Sequence, residues 1–451
     1  MLYKYTCRYL YNFVNKSDIS QMSNKDNTGI GKEMHSLIQQ LFPICRSITG
    51  NGVRKTLKMI SEHIPLKISE IPSGSKVFDW EIPKEWNIKD AYIKNKNGEK
   101  IIDFAKSNLH ILHYSIPIKK KIKFEELKKN LYSIPEQPDL IPYLTSFYNE
   151  NWGFCLSHKQ LKNMKDEEYE IFIDSTLENG HLTYGELKIR GESEEEVLLS
   201  CYVCHPSLCN DNLSGVSLLT FLAKKMSKMK LRYSYRFLFI PETIGAISWL
   251  SLNEKNISKI KHGLVATCVG DSGNSTYKKT REGNAEIDKI VEKVLIESGK
   301  PFKILDFWPS GSDERQFSSP GFNLKVGSLM RTVYDKFPEY HTSADNLDFV
   351  KAECLEDSFN KYLKTIYILE HNMTYKSLNP KCEPQLGKRG LYNIIGGKKH
   401  EGVDKMAIMW VLNLSDGKNS LLEISYRSKI DFIKIKNAAD ALYKNNLLEL
   451  I

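Results

Sequence analysis

The sequence predicts an α/β fold with a mostly parallel sheet, helices on both faces, a small inserted β domain and a C-terminal winged-helix domain. From about residue 166 to 375, strand-like and helix-like stretches alternate, as in parallel sheets. Between 71 and 165, short alternating runs are separated by Pro and Gly, which is typical of β-structure. The last stretch, 388–451, carries three short helical patterns before the apolar Leu447–Ile451, which favours a winged helix.

The N-terminal part of the chain combines a polar segment with two segments of helical spacing. Residues 1–29 end in a polar, glycine-containing run, and we expect a loosely attached extension. Apolar residues then recur at intervals of three and four from about Gly31, and again over Val53–Ile64, which predicts two helices. Residues 30–70 and 166–375 are therefore assigned to the α/β domain.

The alternating region and the C-terminal region supply the remaining predicted elements. The strand candidates are Glu170–Ile173, Val197–Cys201, Arg236–Ile240 and Gly263–Val269. The helix candidates are Gly215–Met226, Ala285–Ser298, Leu355–Glu370, Lys405–Leu412, Leu421–Tyr426 and Ile433–Lys444.

Composition limits the class of protein. The 451 residues are 41% hydrophobic and 26% charged, which provides a globular core of ordinary size. The net charge of +9 is spread along the chain and indicates solubility more than an acidic partner. No apolar stretch approaches the roughly 18 to 20 residues of a membrane span. Met1–Lys16 lacks the apolar core of a secretory signal, and the nine cysteines are irregularly spaced, so we expect a cytoplasmic protein without membrane association.

Residues 200–215 form the most informative run of the chain. This run follows the apolar strand candidate Glu196–Leu199 and precedes a helix candidate. His205 and Asp211 therefore lie where a buried strand opens into a loop. Because ligands and metals bind at the carboxyl edge of α/β sheets, these two side chains are candidate metal ligands.

Three later residues have similar positions. Glu242 and Asp271 each follow a strand candidate, and His341 lies beside a turn. A zinc site needs a few imidazole and carboxylate ligands with one open position. It also needs a further carboxylate that takes a proton from water. His205, Asp211 and His341 are the ligand candidates, Asp271 is a further oxygen ligand, and Glu242 is the candidate general base.

Other interpretations of these residues stay open. Each residue alone could be structural: Asp211 could cap the helix after it, and Glu242 could form a salt bridge. The pattern Cys201-x-x-Cys204-His205 matches haem attachment, although no export signal accompanies it. A structural zinc knuckle that includes Cys209 is disfavoured, because Cys201 and Cys204 would face opposite sides of a strand.

The combined motifs resemble a family. The set resembles zinc aminopeptidases related to bacterial leucyl aminopeptidase, and more closely a bacterial branch of aminopeptidase-like proteins with a β insertion and a C-terminal winged helix. The resemblance covers about residues 30–451. The phrases that carry it are Cys45–Gly52, Trp152–Cys155, Cys204–Ser207, Asn210–Gly215, Gly311–Phe317 and Pro338–Asp345.

The resemblance implies a phosphorylase/hydrolase-like sheet with zinc at its carboxyl edge. His205, Asp211 and Asp271 would surround one metal position, and Asp211 would bridge to a second position shared with His341. Glu242 would be the general base. Tyr340 and Asp313 lie in matching phrases and would line the cleft.

The chain departs from the family pattern at Thr243. The pattern has two consecutive glutamates, a base and a ligand, but here the pair reads Glu242-Thr243. A threonine hydroxyl is a poor zinc ligand. We therefore expect one tightly held zinc ion, with a second ion weak or absent. The branch is associated with surface-polysaccharide gene sets, which adds an acylated or amide-bearing sugar to small peptides and amides as substrate classes.

Basic residues raise two further questions. Arg46, Arg315 and Arg331 could bind a substrate carboxylate or phosphate through their guanidinium groups, or could form internal ion pairs. Residues 388–451 hold eleven Lys or Arg against seven Asp or Glu, and a net +4 is a weak indication of nucleic-acid binding. A docking or homo-oligomeric role for this module is at least as well supported.

The sequence therefore predicts a zinc-dependent amide hydrolase of the aminopeptidase or exopeptidase type. One alternative is a catalytically weak or inactive peptidase-like binding protein that keeps the fold. The other is a DNA-binding regulator in which the peptidase-like domain is a sensor.

Overall fold

The computed structural model describes residues 29–391 and 403–451, so the predicted extension lies outside the described residues except for Gly29. Within the part described, no helix combines the length and apolar character that crossing a membrane requires. The described chain divides into two compact units. The first comprises 29–288 and 301–360, and the second comprises 289–300, 361–391 and 403–451.

The elements are numbered in chain order. The strands are β1 Lys67–Pro72, β2 Lys76–Val77, β3 Trp80–Glu81, β4 Glu85–Lys94, β5 Lys100–Asp103, β6 Ile118–Lys123, β7 Leu131–Tyr132, β8 Phe154–Cys155, β9 Glu168–Glu178, β10 His181–Ile189, β11 Glu196–Tyr202, β12 Ser234–Ile240, β13 Ile260–Val265, β14 Ser275–Lys278, β15 Phe302–Leu305, β16 Val326–Met330, β17 Thr374–Ser377, β18 Asp416–Ser420 and β19 Leu448–Leu450. The α-helices are α1 Ile30–Leu41, α2 Asn51–Ser61, α3 Phe124–Leu127, α4 His158–Asn163, α5 Ser214–Met226, α6 Ile244–Asn253, α7 Glu286–Glu297, α8 Glu314–Phe317, α9 Ala352–His371, α10 Lys405–Leu414, α11 Leu421–Ser428 and α12 Phe432–Lys444.

The first unit is built on an eight-stranded sheet with the order β1-β10-β12-β11-β13-β16-β14-β15. Its centre, β12-β11-β13-β16, is parallel, whereas β10 and β14 run antiparallel to β12 and β16, and β1 runs antiparallel to β10. All seven residues of β11 are buried, as expected for a central strand that is covered on both faces. The predicted α/β class is confirmed, with a mixed sheet that is parallel where the predicted site lies.

A smaller antiparallel sheet with the order β5-β4-β9-β6 forms the inserted region. β9 pairs with β4 and β6, so Glu170–Ile173, which the sequence analysis assigned to the α/β domain, lies in the smaller sheet. Buried and less buried residues alternate along β9, as they do in a strand with one covered face. The inserted sheet thus continues past residue 165, where the sequence analysis placed its boundary.

The second unit contains the winged helix. Its three-stranded sheet has the order β18-β17-β19, and α10, α11 and α12 pack with one another. The buried side chains of α12 recur at helical spacing and include Phe432, Ile435, Ala439 and Leu442. Because β17 precedes residue 388, the sheet of this unit begins before the predicted start of the module.

Candidate metal centre

The carboxyl ends of the central parallel strands position the site. β11 ends at Tyr202, and His205 follows three residues later; β12 ends at Ile240, and Glu242 follows two residues later. Asp211 lies in the irregular turn Cys209–Leu213 that leads into α5. His341 reaches the same edge from the long loop between β16 and α9. Parallel strands bring these loops to one edge of the sheet, as the sequence predicts.

Three of the predicted residues converge. The candidate ligand atoms of His205, Asp211 and His341 all lie within 4.8 Å of one another. Asp211 Oδ2 is 2.9 Å from His341 Nε2 and 3.7 Å from His205 Nε2. Two imidazoles and one carboxylate form a ligand set that suits zinc and leaves a fourth position open.

Two atoms of this group have no hydrogen-bond partner outside it. Asp211 Oδ2 and His341 Nε2 are buried and lie at ion-pair distance, 2.9 Å, from each other, and neither bonds to any other of the described residues. Buried polar groups are almost always hydrogen-bonded, because an unpaired one costs about 1–3 kcal/mol. Two such atoms that face each other at 2.9 Å fit a shared cation.

Further contacts hold Asp211 and His205 in place. Tyr202 donates its hydroxyl hydrogen bond to Asp211 Oδ1, and the backbone N–H of Asp211 donates to Asp345 Oδ2 at 2.9 Å. His205 Nδ1 contacts Cys204 Sγ at 3.4 Å, which leaves Nε2 directed toward Asp211 and Glu242. Such outer contacts fix the orientation of ligand side chains.

Burial and neighbouring charges set the protonation of His205 and Asp211. Burial lowers the pKa of His205 to about 4, despite the opposing effect of Asp211. Burial disfavours the charged form of Asp211, but the neighbouring His205 and His341 outweigh it and lower the pKa of the carboxyl group. Neutral imidazole and ionised carboxylate are the forms that bind a metal ion.

Glu242 is the carboxylate closest to this group among those that the sequence analysis singled out. Its Oε2 lies 3.8 Å from His205 Nε2, and its side chain is 27% exposed. Burial, followed by the charges of Asp313 and Asp211, raises its pKa well above the usual value. A carboxyl group with a raised pKa at the rim of a polar site can exchange a proton with water or with a leaving group.

Asp271 does not join the three converging residues. Its carboxylate accepts hydrogen bonds from Asn210 Nδ2 at 3.1 Å, from the Gly273 N–H at 2.7 Å and from the Thr332 hydroxyl at 2.5 Å. Both oxygens are therefore engaged, and the residue braces the turn next to Asp211. Asp271 is not among the residues whose candidate ligand atoms converge, and its role as an oxygen ligand stays a prediction.

Thr243 also has contacts that leave it unsuited to a ligand role. Its hydroxyl accepts a hydrogen bond from Arg315 at 3.0 Å, and its N–H donates to Asp313 Oδ1 at 2.7 Å. It adopts a φ of 62°, which is uncommon for a β-branched residue. Asp313 and Arg315 thus support the turn that carries Glu242. Burial raises the pKa of Asp313 to about 7, and its Oδ2 has no partner among the described residues.

The other two predicted substrate-binding arginines are engaged within the protein. Arg46 is fully buried and donates to the carbonyl oxygens of His205 at 2.9 Å and Leu41 at 2.6 Å. Arg331 forms an ion pair with Asp357 at 2.7 Å, which is the internal pairing that the sequence left open. Arg46 therefore contacts the backbone of His205 and positions the loop that carries this residue.

Aromatic side chains enclose the group. Tyr340 stacks on the His341 ring with centroids 4.0 Å apart, in keeping with its predicted place at the cleft. Sequence reasoning missed Tyr202, which ends β11, and Tyr143, which comes from the inserted region. The Tyr143 ring lies 5.3 Å from that of His205 and 5.2 Å from that of His341. The position of Tyr202 at the strand end was a usable signal, but no motif marks Tyr143.

The rival cysteine interpretations do not fit this arrangement. Cys201 and Cys204 are buried at 0% and 2% exposure, so haem attachment at their sulfur atoms is sterically excluded. Cys204 Sγ accepts the N–H of Glu242 at 3.2 Å. Among the described residues, the cluster of side chains that could hold a metal ion consists of His205, Asp211 and His341 and contains no cysteine.

Comparison with known proteins places the chain. Residues 35–372 match a family model described as a domain of unknown function, DUF4910. The chain belongs to the DUF4910 family. Residues 373–450 match a winged helix-turn-helix model, which agrees with the start of the second sheet at β17. A Clostridium acetobutylicum protein, named for polysaccharide biosynthesis and an aminopeptidase-like domain, is 60% identical over 427 residues, or 95% of this chain and 98% of that protein.

Solved structures agree with this DUF4910 assignment. A Clostridium acetobutylicum structure whose description assigns it to the peptidases has a TM-score of 0.91 at 59% identity, and covers 95% of this chain and 98% of that one. The zinc aminopeptidase of Bacillus subtilis has a TM-score of 0.56 at 13% identity, covering 75% of this chain and 94% of that chain. A peptidase M28 precursor from Shewanella amazonensis has a TM-score of 0.52 at 11% identity, covering 77% and 97%. This DUF4910 protein therefore has an aminopeptidase-like fold followed by a winged helix.

Proposed function

We propose that this protein is a zinc-dependent amide hydrolase of the aminopeptidase type, with one zinc ion held by His205, Asp211 and His341. The observation that carries the proposal is the buried pair of atoms Asp211 Oδ2 and His341 Nε2, which lie 2.9 Å apart and have no hydrogen-bond partner outside the group among the described residues. The aminopeptidase-like domain named in the Clostridium relative and the fold shared with a zinc aminopeptidase support it.

Each residue of the group has a separate task. A zinc ion supplies Lewis acidity, which polarises a carbonyl group and lowers the pKa of water. Glu242 lies beside His205 and is the group that takes a proton from water and passes it to the leaving nitrogen. The water oxygen then bonds to the carbonyl carbon, the C–N bond breaks, and the amine leaves with that proton.

We propose a single ion because the second position lacks a carboxylate. The Thr243 hydroxyl is already bonded to Arg315, and the Asp271 carboxylate is bonded to Asn210 and Thr332. The substrate that we propose is a small amide, either a peptide or an acylated sugar. The name of the Clostridium relative, which refers to polysaccharide biosynthesis, supports the sugar.

Glu242→Gln tests the proposal. With zinc loaded at one ion per chain, we expect kcat/KM toward a library of aminoacyl amides and N-acylated sugars to fall by about 10² to 10⁴. The zinc content should stay unchanged. Glu81→Gln, at a half-exposed glutamate remote in sequence, should keep wild-type turnover and is the matched control.

Two results would contradict the proposal, the first its mechanism and the second its reaction. Undiminished turnover in Glu242→Gln would remove the base from the mechanism. Stoichiometric zinc together with wild-type protein that turns over no library member would favour the alternative of a peptidase-like binding protein. The engaged carboxylate of Asp271 and the threonine at position 243 are the observations that keep this alternative under test.

A further inference from the structure

His341 has an unusual backbone conformation for a candidate ligand. Its φ is 53°, in the left-handed region that residues with a side chain rarely adopt. Such a conformation costs about 1–3 kcal/mol and persists only when the surrounding contacts impose it. The contacts that hold His341 in place therefore also determine whether its imidazole can meet Asp211.

Several of these contacts come from the inserted region. Residues 137–143, called the strap below, run alongside the loop of His341. The strap makes four hydrogen bonds to this loop: Tyr143 N–H to His341 O at 2.7 Å, Ser343 N–H to Ile141 O at 2.9 Å, Ile141 N–H to Ser343 Oγ at 3.0 Å, and Gln137 Nε2 to Pro338 O at 2.6 Å. A β-bridge between Pro142 and Thr342 lies within the same pairing. The strap thus pairs with the segment on both sides of His341.

The Tyr143 side chain extends this contact to both imidazoles. Its ring contacts those of both His205 and His341, which are 5.2 Å from each other, and it is also 5.3 Å from that of His113. The residue is only 5% exposed and packs in a small apolar cluster with Leu109 and Leu208. Because this cluster anchors the ring, Tyr143 limits the positions available to both histidine side chains.

Tyr340 is the second aromatic ring that contacts the His341 imidazole. Its ring is stacked on His341 at 4.0 Å with only 12° between the planes, whereas Tyr143 meets the same imidazole edge-on at 75°. The imidazole is thus fixed by one ring from its own loop and one ring from the strap. Without Tyr143, the aromatic partners left to His341 would be Tyr340, which moves with its own loop, and His205, which is itself a candidate ligand.

We propose that the strap is part of the metal centre and that Tyr143 is a positioning residue that fixes the backbone and imidazole of His341. The inserted region then has a defined purpose, since it sets the cation affinity of a site whose three ligands all lie outside it. This inference rests on the proposed function, because it assumes that His205, Asp211 and His341 bind a cation.

The experiment measures cation binding to the full-length protein. The zinc dissociation constant is obtained by competition with a chromophoric chelator, and the visible spectrum of the Co²⁺-loaded protein reports the ligand geometry. We expect Tyr143→Ala to weaken zinc binding by about 10- to 100-fold and to change the Co²⁺ spectrum. Tyr143→Phe keeps the ring and should restore both to the wild-type values.

A second variant covers the case in which Tyr143→Ala does not fold. Gln137→Leu removes a hydrogen bond at the far end of the strap and touches no candidate ligand, and it should weaken zinc binding by about threefold. Gln40→Leu, at an exposed glutamine of α1, is the matched control and should leave the affinity unchanged.

The outcomes separate this inference from the proposed function. One outcome would overturn the inference about the strap and leave the proposed function standing. In it, wild type binds one zinc ion, and the zinc affinity and Co²⁺ spectrum are unchanged in Tyr143→Ala and Gln137→Leu. A wild-type protein that binds no stoichiometric zinc would overturn the proposed function and this inference together. Weakening in Tyr143→Ala with recovery in Tyr143→Phe would support both.

Discussion

Oδ2 of Asp211 lies 2.9 Å from Nε2 of His341, although the two residues are 130 positions apart in the chain. Neither atom has a hydrogen-bond partner in the part of the chain that the structure describes. A buried carboxylate oxygen without a donor is costly unless a positive charge compensates it. This contact therefore predicts that a divalent cation stabilises the native protein.

Zinc should raise the thermal stability, and His341→Ala should remove the effect. A ligand that binds only the native state at 100 times its dissociation constant adds about 2.7 kcal/mol to the free energy of unfolding. Differential scanning calorimetry with zinc and with a chelator measures the shift. His158→Ala, at a partly exposed histidine outside the group, is the control and should keep the full response. An equal zinc response in His341→Ala would contradict the site.

Arg46→Met should destabilise the protein without a specific effect on substrate binding. The guanidinium group donates to two buried carbonyl oxygens, those of His205 and Leu41, and both would lose a donor. The expected loss is about 2–4 kcal/mol in the free energy of unfolding, measured by urea denaturation. Arg190→Met, at an exposed arginine, should change it by less than about 0.5 kcal/mol. A raised KM with unchanged stability would instead indicate a substrate contact.

Glu85 predicts an acid-dependent part of the stability. Two nitrogens of Arg54 donate to its carboxylate at 2.6 Å each, and this bonding lowers the pKa of Glu85 to about 2. A carboxyl group whose pKa is lowered in the folded state contributes its full stabilisation at pH values above its ordinary pKa of 4.5. This stabilisation is lost as the pH falls from 4.5 through about 2.

Glu85→Gln should therefore cost about 1–2 kcal/mol at pH 7, after allowance for solvent screening. The difference from wild type should shrink toward pH 2, as followed by urea unfolding at several pH values. Glu178→Gln, at an exposed glutamate of β9, serves as the control. A difference that stays constant between pH 7 and pH 2 would show that the pair does not act through ionisation.

The winged helix should show little affinity for duplex DNA. Lys436 is 5% exposed and bonded to Asp440 at 2.5 Å, so only Lys434 of the two basic residues near the start of α12 is exposed. Fluorescence anisotropy of the full chain with a random duplex at about 150 mM salt should give a Kd no tighter than about 10⁻⁶ M. Submicromolar binding that weakens in Lys434→Ala but not in Lys96→Ala would instead support the DNA-binding regulator.

Local patterns were sufficient to predict the general arrangement. Helical patterns predicted α5 and α12 to within a residue or two, although only α12 has a buried face that repeats every three to four positions, whereas α5 is buried at nearly every position. The positions of His205 and Glu242 after β11 and β12 predicted the edge at which they meet. The strand β9 was assigned to the wrong sheet, because an apolar strand pattern does not specify its pairing partner.

The sequence by itself determined the class of fold, the edge of the sheet where the candidate site lies, and the presence of a threonine, not a carboxylate, after Glu242. These properties depend on residue type and on spacing along the chain. Only the tertiary structure decided that Asp271 bonds to Asn210 and Thr332, that Arg46 is buried behind His205, and that the Tyr143 ring contacts two histidine rings. The physical reason is that an oxygen atom or a ring has no fixed partner until distant segments pack together, and no periodicity along the chain encodes which segments meet.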